Sequence, residues 1–382
     1  MKKKVLVLAS YILVSVLSVA LTIGILFWQD RGFTKLDQLE ALIEVFYIEE
    51  ADMTALEDAA AEAMIKATGD RWSHYIPASE YASYVEISEN AYVGIGVTIA
   101  EAYDGSGLQI MEVSPGSSAE EAGIQVNDVI IEIEGQDAAG MTIEDARNLV
   151  RGKEGTRVKL SVRRAGDTLS LWVTRQKIEV PVVVGQLLDS NVGLISIANF
   201  EDRCADETIA AVESLRQQGA EKLIFDVRNN PGGYARELVP LLDYLLPEGE
   251  LFRTVDYAGR EETDYSDAGF LDMPMAVLVN RSTYSAAEFF AVALQEYEAA
   301  VVAGEKTTGK GYFQNTFPLS DGSAVSLSTG KYFTPRGISL EDVGITPDVE
   351  IVVDDSTYAD IYYGQLQPQE DPQIQAAVNA LK

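Results

Sequence analysis

The chain has 382 residues, 47% of them hydrophobic and 23% charged, with 60 acidic against 29 basic side chains and a net charge of −31. That length accommodates two or three domains of about 100–200 residues, each with a real core, and the composition excludes wholesale disorder. The charge excludes electrostatic binding of nucleic acid or of anionic lipid headgroups, both of which attract Lys and Arg; the acidity serves solubility.

The chain opens MKKK and then runs uncharged from residue 5 to residue 28, long enough to cross a bilayer. Ser18-Val19-Ala20 offers a small-x-small cleavage site, but the apolar run continues past it to Trp28, which favours an uncleaved anchor over a signal peptide. Lys2, Lys3 and Lys4 favour a cytoplasmic N-terminus. The expected layout is a cytoplasmic stub (1–4), a single-pass transmembrane anchor (5–28) and an extracytoplasmic remainder at the cell membrane. Leu36, Leu39, Ile43 and Phe46 then recur at helical spacing, and an alanine-rich helical stretch runs from about Asp52 to Lys66, so residues 29–90 read as a helical region. His74, the one histidine, has no nucleophile signature nearby and reads as structural or surface; Cys204, the one cysteine, forms no intramolecular disulfide and reads as a small core residue.

From residue 91 the character changes to short strands: YVGIGVTI, LQIMEV, VNDVIIEIEG, RVKLSVRR and TLSLWV, with SPGSSAEEAGI and the helical MTIEDARNLVRG between them. Val158, Leu160 and Val162 alternate with polar residues, as a half-buried antiparallel strand requires. This module, 91–176, resembles a PDZ domain. The resemblance implies that Gly94, Ile95 and Gly96 form the loop whose backbone N–H groups receive the carboxylate of a peptide's C-terminus. Arg151, at the end of the module's helix, places a cation where it could face either a peptide or the following domain and is a candidate for gating.

Residues 177–355 alternate apolar runs with helical patterns. Val192–Ile197, Leu223–Phe225, Ala276–Val279 and Ala300–Ala303 read as buried strands, with ADETIAAVESLRQQG a helix between the first two, which implies a largely parallel sheet in an α/β core. A tail, 356–382, contains DPQIQAAVNALK, an amphipathic helix.

GEKTTGKG, residues 304–311, comes within one residue of a phosphate-binding loop, with Gly311 in place of the required hydroxyl. Such a loop must open a helix; the aromatic, alternating GYFQNTFPLSDGSAVSLS that follows is not one. Lys310 has a different partner. Ser285 sits where strand 276–279 turns into the helical AAEFFAVALQEYE, and if 276–279 and 300–303 are parallel neighbours, Ser285 and Lys310 emerge at the carboxyl edge of one sheet, where α/β sheets bind ligands. A serine hydroxyl needs an adjacent base, and a lysine kept neutral by burial can be that base. A pKa depression of about three units from 10.4 costs about 4 kcal/mol. Gln314 could accept a hydrogen bond from the amine and hold its direction. Asp226-Val-Arg-Asn-Asn-Pro-Gly-Gly233 follows a buried strand, and Gly232 or Gly233 with the N–H of Ala286 would make a two-donor oxyanion hole.

Together these blocks resemble the carboxyl-terminal processing peptidases, serine proteases with a Ser-Lys dyad, over about residues 36–380. The family's motifs are D-x-R-x-N-P-G-G, a serine-rich block ending in Glu, and T-x-G-K-G followed by Gln. The resemblance implies an α/β multidomain chain with a crotonase/ClpP-like α/β protease core, an inserted PDZ domain and an N-terminal helical region. It assigns Ser285 as nucleophile, Lys310 as general base and Gln314 as the lysine-orienting group. The nucleophile block reads T-Y-S-A-A where the family more commonly shows S-A-S-A-S, so Tyr284 narrows the site. No metal or organic cofactor is implied. The expected partners are protein or peptide substrates with a free, apolar C-terminus in a bacterial envelope; the oligomeric state stays open, a homo-oligomer included. The competing reading is a non-catalytic PDZ adaptor or scaffold.

Overall fold

A computed structural model describes residues 34–381. The expected stub and anchor, 1–28, lie outside the described residues. Among those described, no helix is long and apolar enough to cross a membrane. The described residues divide into two compact units, one ending at Tyr75 and the other beginning at Ile76.

In the first unit, Thr34 caps helix Lys35–Phe46 in a reciprocal pair with Asp37: the Asp37 N–H donates to Thr34 Oγ1 at 3.3 Å and the Thr34 N–H to Asp37 Oδ2 at 2.8 Å. Asp52 caps Met53–Lys66 in the same region where alanine-rich periodicity predicts a helix. His74 is exposed, with Nδ1 at 3.3 Å from the Trp72 carbonyl.

In the second unit, strands Ala91–Gly94 and Gln176–Glu179 pair antiparallel and form the stem of the β-rich module. YVGIGVTI is therefore two strands and not one. The break falls at Gly96, whose φ of +79° and whose close approach to the Ser117 side chain, 2.3 Å from where a Cβ would stand, admit only glycine. Beyond it the sheet runs Val97–Glu101, Leu108–Val113, Val129–Ile133, Arg157–Arg164 and Asp167–Thr174. Val158, Leu160 and Val162 are fully buried in its core, as their alternation predicts.

The second core is a six-stranded sheet in the order Val183–Leu188, Val192–Ile197, Lys222–Asp226, Met275–Val279, Ala300–Gly304, Val349–Glu350. The first pair is antiparallel and the others parallel. Its strands are apolar on both faces. Ile195, Phe225 and Val277 pack in the cluster that includes helices Cys204–Gln217, Ala235–Leu245 and Ala286–Glu296; Leu194, Ile224 and Leu278 pack in another with Ile374, Ala377 and Leu381 of the tail. The tail helix, Pro372–Ala380, is thus part of the core: it covers the sheet's second face. Cys204 is buried as expected, and burial pushes its thiol up to about 12, leaving it inert. An antiparallel sheet formed by Gly249–Asp256, Glu261–Ser266, Tyr312–Pro318 and Ala324–Phe333 adjoins, so Lys310 leads into a strand, as its aromatic sequel requires.

Candidate active site

Parallel pairing of Val279 with Gly304 sends both strands out at one edge, and Ser285 and Lys310 follow at equal distances along the chain. Ser285 is 8% exposed and occupies the N-cap of helix Ala286–Glu296 with φ 59° and ψ −130°. For a non-glycine residue that backbone costs about 1–3 kcal/mol and persists only where neighbours enforce it. Glu288 enforces it. Its Oε2 accepts from the Ser285 N–H at 3.0 Å and from the Lys310 N–H at 2.8 Å, and its Oε1 accepts from the Gly309 N–H at 2.8 Å and from Thr307 Oγ1. One fully buried carboxylate therefore ties the serine turn to the lysine loop. Burial raises the Glu288 pKa, and these donors oppose the rise.

The Asp226–Gly233 segment closes the third side. Asn280 Oδ1 accepts from the Asn229 N–H at 3.0 Å, Thr283 Oγ1 donates to the Val227 carbonyl at 2.8 Å, and the Tyr284 N–H donates to the Asn230 carbonyl at 3.2 Å. Gly232 has φ +89°, and a Cβ on it would stand 2.7 Å from Ser285 Cβ and 2.8 Å from the Ala286 nitrogen. The Gly232 N–H donates to Asn230 Oδ1 at 2.8 Å, which leaves Gly233 of this loop and Ala286 of the helix after Ser285 as the expected oxyanion donors. Gln314 donates its Nε2 to the Tyr312 carbonyl at 3.2 Å and to Ser328 Oγ at 3.0 Å, which leaves Oε1 as its acceptor. Lys310 is half-buried, with Nζ 5.7 Å from the centroid of the Tyr284 ring.

Asp226 and Arg228 of the same segment face away from this chemistry. Arg228, 4% exposed, pairs with Asp226 at 2.6 Å and with Asp371 at 2.8 Å, and donates to Gln373 Oε1 at 3.0 Å. They anchor the tail helix.

In the PDZ-like module the carbonyls of Ile95 and Gly96 are taken by the N–H groups of Ala119 (3.0 Å) and Ser114 (2.9 Å). A groove of about 300 Å³ opens beside Gly94, Ile95 and Gly96, lined further by Ile99, Ile130, Ile143, Ala146 and Val150. Arg151, at one end of it, pairs with Glu86 at 2.6 Å and lies 5.1 Å from the Tyr92 ring centroid; Glu86 Oε1 is 3.4 Å from the Val93 nitrogen. Sequence reasoning placed Ser285, Lys310 and the glycine loop at one edge but did not see the clamp. The spacing Ser285-x-x-Glu288 is that of a capping box and could have revealed its first bond.

A buried serine on a strained strand-to-helix turn of an α/β core, joined to a peptide-sized apolar groove, is the arrangement of a serine protease with a peptide-binding module. Comparison with known proteins narrows the class. A model of peptidase family S41 matches residues 191–351, and a PDZ domain model matches 109–164. The carboxy-terminal processing protease CtpA of Bacillus subtilis is 35% identical over 339 residues, covering 87% of this chain and 72% of that one. The carboxyl-terminal-processing protease of Synechocystis is 33% identical over 329 residues, covering 84% and 76%. A solved putative S41 protease from Bacteroides fragilis shares the fold at 17% identity and a TM-score of 0.50, covering 90% and 96%. The chain belongs to peptidase family S41, the family of the carboxyl-terminal processing proteases.

Proposed function

We propose that this serine protease is anchored in the cell membrane by residues 5–28, faces the extracytoplasmic side, reads the C-terminal tail of its substrate in the PDZ groove and cuts upstream of that tail with a Ser285-Lys310 dyad. The observation that carries the dyad is the single oxygen, Glu288 Oε2, bonded to the backbone N–H of both residues. The core's parallel strands with helices on both faces support its assignment to the crotonase/ClpP type.

In this reading neutral Lys310 takes the proton of Ser285 Oγ as the oxygen attacks the scissile carbonyl, and the ammonium then gives that proton to the departing amine. Water enters by the same route in reverse and frees the acyl group. The N–H groups of Ala286 and Gly233 hold the developing oxyanion, the Gly232 N–H being engaged by Asn230 Oδ1; such a donor is worth about 10²–10³ in rate. Gln314, its nitrogen already engaged, accepts from the amine and aims it. The Tyr284 ring excludes water from Nζ, which favours the neutral amine, while its π face favours the cation.

The tail enters with its carboxylate toward Gly94, Ile95 and Gly96 and its apolar side chains in the groove. Its charge competes with Glu86 for Arg151, so binding can loosen helix Ala78–Ser88 and shift the population toward the active form. A coupling of about 1–3 kcal/mol is the usual range.

The test incubates the full chain with unfolded proteins that differ only at their C-termini and reads fragments by mass spectrometry. Ser285→Ala and Lys310→Ala are expected to abolish cleavage with cooperative unfolding intact. Lys310→Arg is expected to fail as well, because a guanidinium does not deprotonate. Substantial activity in any of the three sinks the dyad.

A further inference from the structure

One carboxylate beside the site is unused by this mechanism. Glu201 follows Phe200, whose N–H donates to the Gly232 carbonyl and whose carbonyl accepts from the Tyr234 N–H, both at 2.7 Å. A Cβ on Gly233 would stand 2.2 Å from the Phe200 carbonyl carbon and 2.7 Å from the Glu201 nitrogen. The two glycines are thus sandwiched, Ser285 against Gly232 and the Phe200–Glu201 peptide against Gly233. The loop is pinned on its far side too: Asn199 Oδ1 accepts from the Glu201 N–H at 3.0 Å and from Asn90 Nδ2 at 3.1 Å, at the foot of the PDZ stem.

The Glu201 backbone is held by this loop, and its side-chain Oε2 is buried and takes no hydrogen bond among the described residues. A buried unsatisfied oxygen is costly and rare, and beside a catalytic loop it points to a role in the reaction. The charged groups around it are Arg236 and Glu237 on helix Ala235–Leu245, Asp202 on its own loop, and Lys310 across the glycines; the Cys204 thiol also senses its charge. Arg236 is committed to Asp202, and Glu237 accepts from the Ala205 N–H at 3.0 Å. Burial, above all, pushes the Glu201 carboxyl up to about 7, against the pull of Arg236 and Lys310.

We propose that Glu201 is a positioning residue acting through Lys310: ionised, its carboxylate holds the proton on the lysine, and neutral, it lets the lysine lose it. The inference rests on the Ser285-Lys310 reading. Its consequence is a base that becomes available in two stages. As pH rises, Lys310 first deprotonates against a neutral neighbour; once Glu201 ionises, the same loss becomes harder, and the gain in rate stalls before resuming.

The experiment follows Ser285 itself. A fluorophosphonate reacts with the full chain in detergent; the Oγ–P bond forms, the P–F bond breaks, fluoride leaves and the serine proton passes to Lys310. The labelling rate is read by intact mass from about pH 5 to about pH 10. The expected wild-type curve has a shelf near pH 7 below the main inflection. Glu201→Gln and Glu201→Met, one polar and one apolar but both uncharged, are expected to lose the shelf and to move the inflection down by more than about one unit, the coupling that a separate step requires. A merely structural role would lower the rate without moving the inflection. A wild-type curve without a shelf, or neutral variants that keep the wild-type inflection, overturns the inference. The dyad fails separately: Lys310→Ala would then label at the wild-type rate at every pH.

Discussion

Glu288→Gln exchanges one of two acceptor oxygens for an NH2 donor at the point where four donors converge. The side chain is fully buried, so water cannot take over the lost bonds. If the amide oxygen stays toward Ser285 and Lys310, the NH2 faces the Gly309 N–H and the Thr307 hydroxyl; flipped, it faces the other pair. Thr307 is poorly placed to relieve the conflict, because its Oγ1 also accepts from the Ile345 N–H at 2.7 Å. Bonds to a charged acceptor are worth about 1.5–3 kcal/mol and a stranded donor costs about 1–3, so losing one pair predicts about 3–5 kcal/mol. The neutral amide escapes the desolvation that raises the Glu288 pKa, which brings the expected net loss to about 2–4 kcal/mol. The turn and the lysine loop then part slightly, and a misplacement of about 1 Å costs about 10²-fold in rate. Urea unfolding and kcat on an unstructured peptide check both numbers, with KM expected to change little. A variant that unfolds within about 0.5 kcal/mol of wild type and keeps kcat within about threefold would show that the clamp does not hold the dyad.

Asp371→Ala removes both the N-cap of the tail helix and a partner of buried Arg228, and is expected to cost about 3–5 kcal/mol in chemical unfolding; near-neutrality would mean that the tail does not hold the sheet's second face. Gly96→Ala forces a side chain into Ser117 at positive φ and is expected to weaken binding of an apolar-tailed peptide by about tenfold or more in fluorescence anisotropy. Amidating the peptide's terminal carboxylate is expected to do the same to wild type, and full binding by the amidated peptide would remove the carboxylate from the recognition. Glu201 also predicts a stability profile. Its folded value of about 7 lies above its ordinary 4.5, so the folded state holds the extra proton between these limits and stability falls as pH rises through them. Glu201→Gln lacks that slope, and its advantage over wild type is expected to grow by roughly 2–3 kcal/mol across the window; parallel pH curves for the two proteins would contradict the burial of this carboxyl.

Features legible in the sequence were those whose cause is local. Alternation at Val158, Leu160 and Val162 needs only a pleated strand with one wet face, and the apolar runs ending at Ile197 and Val279 need only a buried sheet. Ser285 and Lys310 could be brought to one edge because parallel strands have a direction. The glycine break in YVGIGVTI was hidden because an alternating apolar pattern continues across it, and only the approach of Ser117 demands it. Arg228 and Asp371 are separated by 143 residues, and opposite charges that far apart carry no signal of pairing in a chain with 89 charged side chains, 60 acidic and 29 basic. A rule did exist for the tail. Strands that are apolar on both faces require cover on both faces, and the helices between the strands could not by themselves show which face they left open. DPQIQAAVNALK was the remaining amphipathic segment. Pro-Gly-Gly shows the same limit most sharply, since taken alone it is a turn. It becomes part of a site because Ser285 leaves no room for a Cβ at Gly232 and the Phe200 carbonyl leaves none at Gly233. Those two exclusions come from opposite sides of the loop, and any residue larger than glycine would displace Ser285 at the first position or the Phe200–Glu201 peptide at the second.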